Sequence, residues 1–111
     1  MKVSILAVGS RGDVAPLVAL GIGLKAAGHE VRCAAPADFE AEVRARGLEY
    51  FRLTGPSGRF YGGRAGIEMR ERVRSARRFV ECVDAWMAPF VEQLLAGGAA
   101  AGQGADLVLC W

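Results

Sequence analysis

The stretch at residues 8–20, VGSRGDVAPLVAL, decides how the rest of the chain is read. An apolar run from Lys2 to Val8 enters it without a turn residue, the pattern of a strand buried on both faces of a parallel sheet. A helical pattern leaves it, predicted from about Val14 to Ala27, with Leu17, Leu20 and Leu24 on the buried face. Pro16 is acceptable in a first turn, and Gly28 ends the helix. Gly21 and Gly23 either weaken this helix or let it lie close to a sheet. Between strand and helix, residues 9–13 hold two glycines, a serine, an arginine and an aspartate.

Working outward, His29–Pro36 (HEVRCAAP) reads as a second strand, and Asp38–Arg46 as a short helix with Asp38 as N-cap and Gly47 as its stop. Glu49–Leu53 (EYFRL) is a third strand. Residues 54–66 carry five glycines and a proline and predict a long loop. A helical stripe then runs from Ile67 to about Leu95 through Met69, Val73, Ala76, Val80, Val83, Met87, Phe90 and Leu94. Pro89 predicts a kink, or two helices meeting near Ala88. Residues 97–104 (GGAAAGQG) read as a flexible linker, and Asp106–Cys110 (DLVLC) as a fourth buried strand.

Strands alternating with helices predict an α/β fold, a Rossmann-like doubly wound parallel sheet within one domain, residues 1–111. Right-handed crossovers give the strand order 3-2-1-4. The switch point then falls at the C-terminal end of the first strand, where open α/β sheets bind ligands and where the quoted turn sits.

Composition narrows the class. A hydrophobic content of 52% indicates a globular chain. The apolar runs are too short to span a membrane, and Met1-Lys2 leads straight into a strand without a signal-peptide pattern; the expected location is cytoplasmic. The net charge of +2 gives no reason to expect a nucleic-acid partner. The charge is uneven, however: residues 57–78 hold seven arginines and two acids. Arg70, Arg72, Arg74, Arg77 and Arg78 read as a solvated helix face or, with Trp86 and Met87 nearby, as a peripheral contact to an anionic membrane surface or partner. Cys33, Cys82 and Cys110 are odd in number and widely spaced, so a zinc site or disulfide framework is not expected and they read as small buried hydrophobes. His29, the single histidine, opens the second strand and reads as structural.

The turn has a chemistry of its own. A helix N-terminus offers free N–H groups and partial positive charge. Gly12 allows close approach, and Ser10 and Arg11 can donate to oxygens, so the turn suits a phosphate. It matches neither the G-x-G-x-x-G dinucleotide fingerprint nor a P-loop. The Arg11-Gly12-Asp13 triplet would mark cell adhesion only in an extracellular protein. Asp13 has two readings, an N-cap carboxylate or a general base for a substrate hydroxyl, and the residues alone leave both open.

The combined pattern of Gly9–Leu20, Gly28–Val31 and Gly47–Tyr50 resembles the start of the GT-B-fold glycosyltransferases. The likeness is to bacterial enzymes that decorate antibiotics and other natural products, and to sterol glucosyltransferases. It covers residues 1–53 closely and extends loosely to the DLVLC strand. The resemblance implies an acceptor-binding N-terminal domain. It also implies inverting, metal-independent transfer from a nucleotide-sugar (TDP- or UDP-sugar) to a hydroxyl of a hydrophobic small-molecule acceptor, with no cofactor beyond that co-substrate. By the same resemblance Asp13 is the general base, and Ser10, Arg11 and Gly12 face the donor diphosphate. Phe60 and Tyr61 lie in the glycine-rich loop, a region that borders the acceptor in the family, and read either as acceptor contacts or as simple loop packing. The family's donor-binding C-terminal domain has no counterpart in these residues, so the domain reads as truncated and its partner half as lying in the same or a separate chain. Two other readings stand beside this one: a non-catalytic module recruiting acceptor or membrane to a donor-binding chain, and an unrelated Rossmann-like nucleotide binder.

Overall fold

In the computed structural model, residues 1–55, 63–64, 66–67, 71 and 73–110 are described. The elements are β1 (Lys2–Leu6), α1 (Arg11–Ala26), β2 (Glu30–Ala35), a 3₁₀ turn (Ala37–Phe39), α2 (Glu40–Ala45), β3 (Glu49–Arg52), α3 (Ala76–Gly102) and β4 (Leu107–Cys110). The four strands form one sheet in the order β3-β2-β1-β4, and every pairing is parallel. This is the expected doubly wound topology.

Strand parity divides the core between the two faces of the sheet. Val3, Ile5 and Ala7 of the first strand segment, with Val31, Cys33 and Ala35, pack against Val14 and Val18 of α1 and Val43 of α2. Leu6 and Val8 point the other way and join Ala34, Leu53 and Ala101, the last from α3. Burial on both faces explains why VSILAV is apolar almost without interruption. Its one hydroxyl, Ser4, is buried and donates from Oγ to the Ala101 carbonyl at 2.8 Å. Arg32 reaches the same carbonyl from β2, at 3.1 Å, and holds Glu49 at 2.8 Å.

Several local expectations are corrected. Helix α1 begins at Arg11 rather than Val14, with Ser10 as N-cap, so Asp13 is the third helical residue and not the cap. Leu20 is 45% exposed; the buried face is Val14, Val18 and Gly21, with Leu17 and Leu24 beside it. A Cβ on Gly21 would stand 2.9 Å from Leu48 Cδ1 and 3.3 Å from Ile5 Cδ1. Gly21 thus lets the helix lie close against the sheet, and a larger residue there would lift α1 off. Gly23 has open space around it. The end of α1 is a Schellman motif: the His29 N–H reaches the Leu24 carbonyl and the Gly28 N–H the Lys25 carbonyl, with Gly28 at φ +92°. Asp38 does not cap α2; it lies inside the 3₁₀ turn that follows Pro36.

The longest helix differs most from its prediction. Val73 and Arg74 are not helical, and Ser75 caps α3 by accepting from the Arg78 N–H at 3.3 Å. From Ala76 the helix runs through Pro89 without dividing at Ala88. It continues through residues 97–102, expected as linker. The glycines there are packing devices. A Cβ on Gly97 would lie 3.2 Å from Leu53, on Gly98 3.4 Å from Leu6, and on Gly102 3.2 Å from Val108. At 27 residues α3 is about 40 Å long, roughly twice the reach of the strands. Only its C-terminal end lies on the sheet, which is why Ala101 is its buried residue while Phe79, Val80, Val91 and Leu95 are exposed.

Strand β4, expected to be buried, is largely exposed, Leu107 at 40% and Val108 at 44%. Among the described residues β1 is its only sheet neighbour, which places it at an edge of the sheet. Of the cysteines, Cys33 is buried as expected, whereas Cys82 and Cys110 are exposed on α3 and β4.

Candidate functional site

The strand ends define the site. Leu6 is in register with Ala34 on one side and Cys110 on the other, and Ala35 with Arg52. The turn after β1 therefore rises from the C-terminal edge of the sheet. It does so where β2 departs to one side of β1 and β4 to the other. Gly9 reverses the chain at φ +126°, a conformation that glycine adopts without strain. Ser10 then starts α1 from an extended backbone.

Asp13 closes back on this turn. Its Oδ2 accepts the Ser10 N–H at 2.8 Å and the Ser10 hydroxyl at 2.8 Å. Oδ1 carries no hydrogen bond among the described residues. The side chain is half-buried. A Cβ on Gly9 would fall 2.5 Å from Oδ2, so the backbone of residue 9 lies directly against that oxygen. The Asp13 and Val14 N–H groups both bond the Ser10 carbonyl, at 3.0 Å each. The N–H groups of Arg11 and Gly12 have no partner among the described residues, as the first turn of a helix dictates. Space beside Gly12 is open: a methyl group there would meet only Ser10 Oγ, at 3.7 Å.

The sequence expectations meet this geometry unevenly. Ser10, Gly12 and Asp13 come together at one edge. Arg11 is exposed and turns its guanidinium toward Glu42 of α2, at 3.8 Å. Glu42 and Gly9 are not singled out by the sequence reading. Glu42 gives no signal, because 31 residues separate it from Arg11; Gly9 is legible as the glycine that ends the strand. Phe60 and Tyr61 lie outside the described residues, as do Arg70 and Arg72. Arg74, Arg77 and Arg78 are exposed, and Arg77 pairs with Glu81 at 3.0 Å. No helix among the described residues is long and apolar enough to cross a membrane. His29 stands at the opposite edge of the sheet, its Nδ1 3.3 Å from the terminal amine.

A cavity of about 180 Å³ also opens at that opposite edge, among Lys2, Ser4, Glu30, Arg32, Glu49 and Gln103. Its cations are matched by acids, Arg32 with Glu49 and Lys2 with Glu30, so it offers no net charge to a ligand. It is remote from the turn and from the switch point of the sheet.

Residues 3–102 match the glycosyltransferase family 28 N-terminal domain. The chain belongs to this family. It is 36% identical over 109 residues to O-mycaminosyltylonolide 6-deoxyallosyltransferase of Streptomyces fradiae, covering 98% of this chain and 26% of that enzyme. It is 47% identical over 55 residues to a sterol 3-beta-glucosyltransferase of Arabidopsis thaliana, covering 50% of this chain and 9% of the other. The crystal structure of the Streptomyces glycosyltransferase SsfS6 superposes with a TM-score of 0.68 at 27% identity, over 99% of this chain and 33% of that one. The chain thus spans about a quarter of the Streptomyces fradiae enzyme and a third of SsfS6. Its Rossmann-like sheet is the one expected of a GT-B N-terminal half.

Proposed function

We propose that this family 28 domain is the acceptor side of an inverting, metal-independent glycosyltransferase. It moves a sugar from a UDP- or TDP-sugar to a hydroxyl of a hydrophobic natural product. The donor nucleotide is held by a second half, in the same or a separate chain, and the reaction takes place in the cytoplasm. The observation that carries this reading is the Asp13 carboxylate at the switch point, with Oδ2 tied to the turn and Oδ1 unbonded among the described residues.

That arrangement supports a general-base step. Oδ1 takes the proton of the acceptor hydroxyl as its oxygen attacks the anomeric carbon. The bond from that carbon to the diphosphate breaks, and the electron pair leaves with the diphosphate. Attack opposite the leaving group inverts the centre. The charge growing on the diphosphate is met by the free N–H groups of Arg11 and Gly12 and by the positive end of α1. Ser10 and Arg11 flank this position. The names of the macrolide and sterol relatives support a hydrophobic acceptor.

The test is a pair of substitutions in the full transferase, donor half included. Asp13→Asn keeps an oxygen for the two Ser10 donors but cannot take a proton, so turnover should fall roughly 10²–10⁴-fold with the fold intact. Asp13→Ala also loses both hydrogen bonds and should cost about 1–2 kcal/mol of stability. Near-normal turnover in Asp13→Asn would refute the base. Calorimetry of residues 1–111 alone should show no micromolar binding of UDP- or TDP-sugar, because the nucleotide site belongs to the other half.

A further inference from the structure

We infer that Ser10 is the positioning residue for Asp13: its hydroxyl fixes the rotation of the carboxylate and so aims the unbonded oxygen at the acceptor. The inference rests on the reading of Asp13 as the base.

A serine hydroxyl has one proton to donate. Here that proton goes to Asp13 Oδ2 at 2.8 Å, beside the Ser10 N–H on the same oxygen. The two residues close a capping box, yet the Asp13 N–H is already satisfied by the Ser10 carbonyl at 3.0 Å. The helix start therefore has that bond without the hydroxyl. Gly9, having no side chain, leaves the space that Oδ2 occupies: a Cβ there would stand 2.5 Å from it. Both Ser10 donors act on Oδ2. A carboxylate otherwise rotates readily about its terminal torsion, turning both oxygens away from any one direction. Two hydrogen bonds on one oxygen hold the carboxylate in one plane and leave the other oxygen, here Oδ1, to receive a proton. A hydroxyl committed to Asp13 is also not free to donate to the donor diphosphate, so the backbone N–H groups of the turn are left with that task.

The experiment uses the full transferase with three variants: Ser10→Ala, Ser10→Thr, and Ser10→Ala combined with Asp13→Asn. Ser10→Ala should lower kcat about 10-fold and leave KM for the sugar nucleotide within about twofold, as expected when the general base is misaimed but binding is kept. Ser10→Thr restores the hydroxyl and should recover kcat to within about threefold. In the Asp13→Asn background Ser10→Ala should cost nothing further, because there is no base left to aim. Circular dichroism melts show that each variant is folded. A raised donor KM with unchanged kcat would mean the hydroxyl serves the diphosphate, and overturns the inference. So would additive losses in the double variant, or normal kcat in Ser10→Ala when Asp13→Asn is inactive. If Asp13→Asn itself retains turnover, the base reading falls, and the positioning role falls with it.

Discussion

Replacing Gly9 by alanine should damage the fold and the site together, and the size of the effect follows from two separable costs. The first is backbone strain. Gly9 sits at φ +126°, where an L side chain costs about 1–3 kcal/mol. The second is contact: the new Cβ would lie 2.5 Å from Asp13 Oδ2 and 2.9 Å from Cγ. Ordinary contact needs roughly 3.4 Å, so the carboxylate must retreat by about 1 Å. Its two bonds to Ser10, now 2.8 Å each, then stretch beyond hydrogen-bond range. Losing them adds about 1–2 kcal/mol for a half-buried carboxylate. Together the variant should lose about 2–5 kcal/mol. With a urea slope of about 1–3 kcal/mol/M, the unfolding midpoint should drop by at least about 0.7 M. Gly28→Ala is the control. Its φ of +92° carries the strain, but a methyl there meets nothing within 4 Å. Gly9→Ala should therefore be the worse of the two, and adding Asp13→Ala should recover part of the difference by removing the obstruction. Equal midpoints for the two glycine variants, or a Gly9→Ala midpoint within about 0.2 M of the parent, would refute the close packing of residue 9 on Asp13.

Thiol labelling of the folded protein should modify Cys82 and Cys110 quickly and Cys33 only on unfolding, while titration in denaturant without reductant should count three free thiols. Burial pushes the Cys33 thiol from about 9 up to about 11, so the folded state keeps a proton that the unfolded chain releases. Its contribution is complete below about pH 9 and fades as pH rises toward about 11, by up to about 3 kcal/mol; a urea midpoint that is flat across this window would contradict it. Gly97→Leu should push α3 off Leu53 and cost about 1–3 kcal/mol, measurable as a lowered melting temperature, whereas Gly104→Asn, in open space at φ +73°, should change little.

Much of this architecture is legible in the chain. The apolar run of β1, the glycine stops of α1 and α2, and the alternation of strand and helix lead to the order β3-β2-β1-β4 and to the turn at its switch point. The places where the reading fails share a cause. Local pattern ranks Leu20 above Gly21 for burial, and reads GGAAAG as linker, because it weighs each residue by its own side chain. The partner surface decides otherwise: Leu48, Ile5, Leu53 and Leu6 occupy the space, and only glycine lets the helix come close enough to be buried. The exposed face of β4 and the far half of α3 likewise depend on what lies beside them, not on their own composition.

The site divides in the same way. The sequence by itself determined that a strand turns into a helix at residues 9–13 and that serine, arginine and aspartate stand there. Only the tertiary structure decided their relations: Ser10 as the cap, both of its donors on one oxygen of Asp13, and Arg11 drawn away to Glu42. Sequence spacing sets which groups share a turn, because a few bonds of chain limit their separation. It cannot set which oxygen a proton points to, or which carboxylate an arginine meets from another helix, because those depend on torsions and packing that exist only once the sheet has assembled.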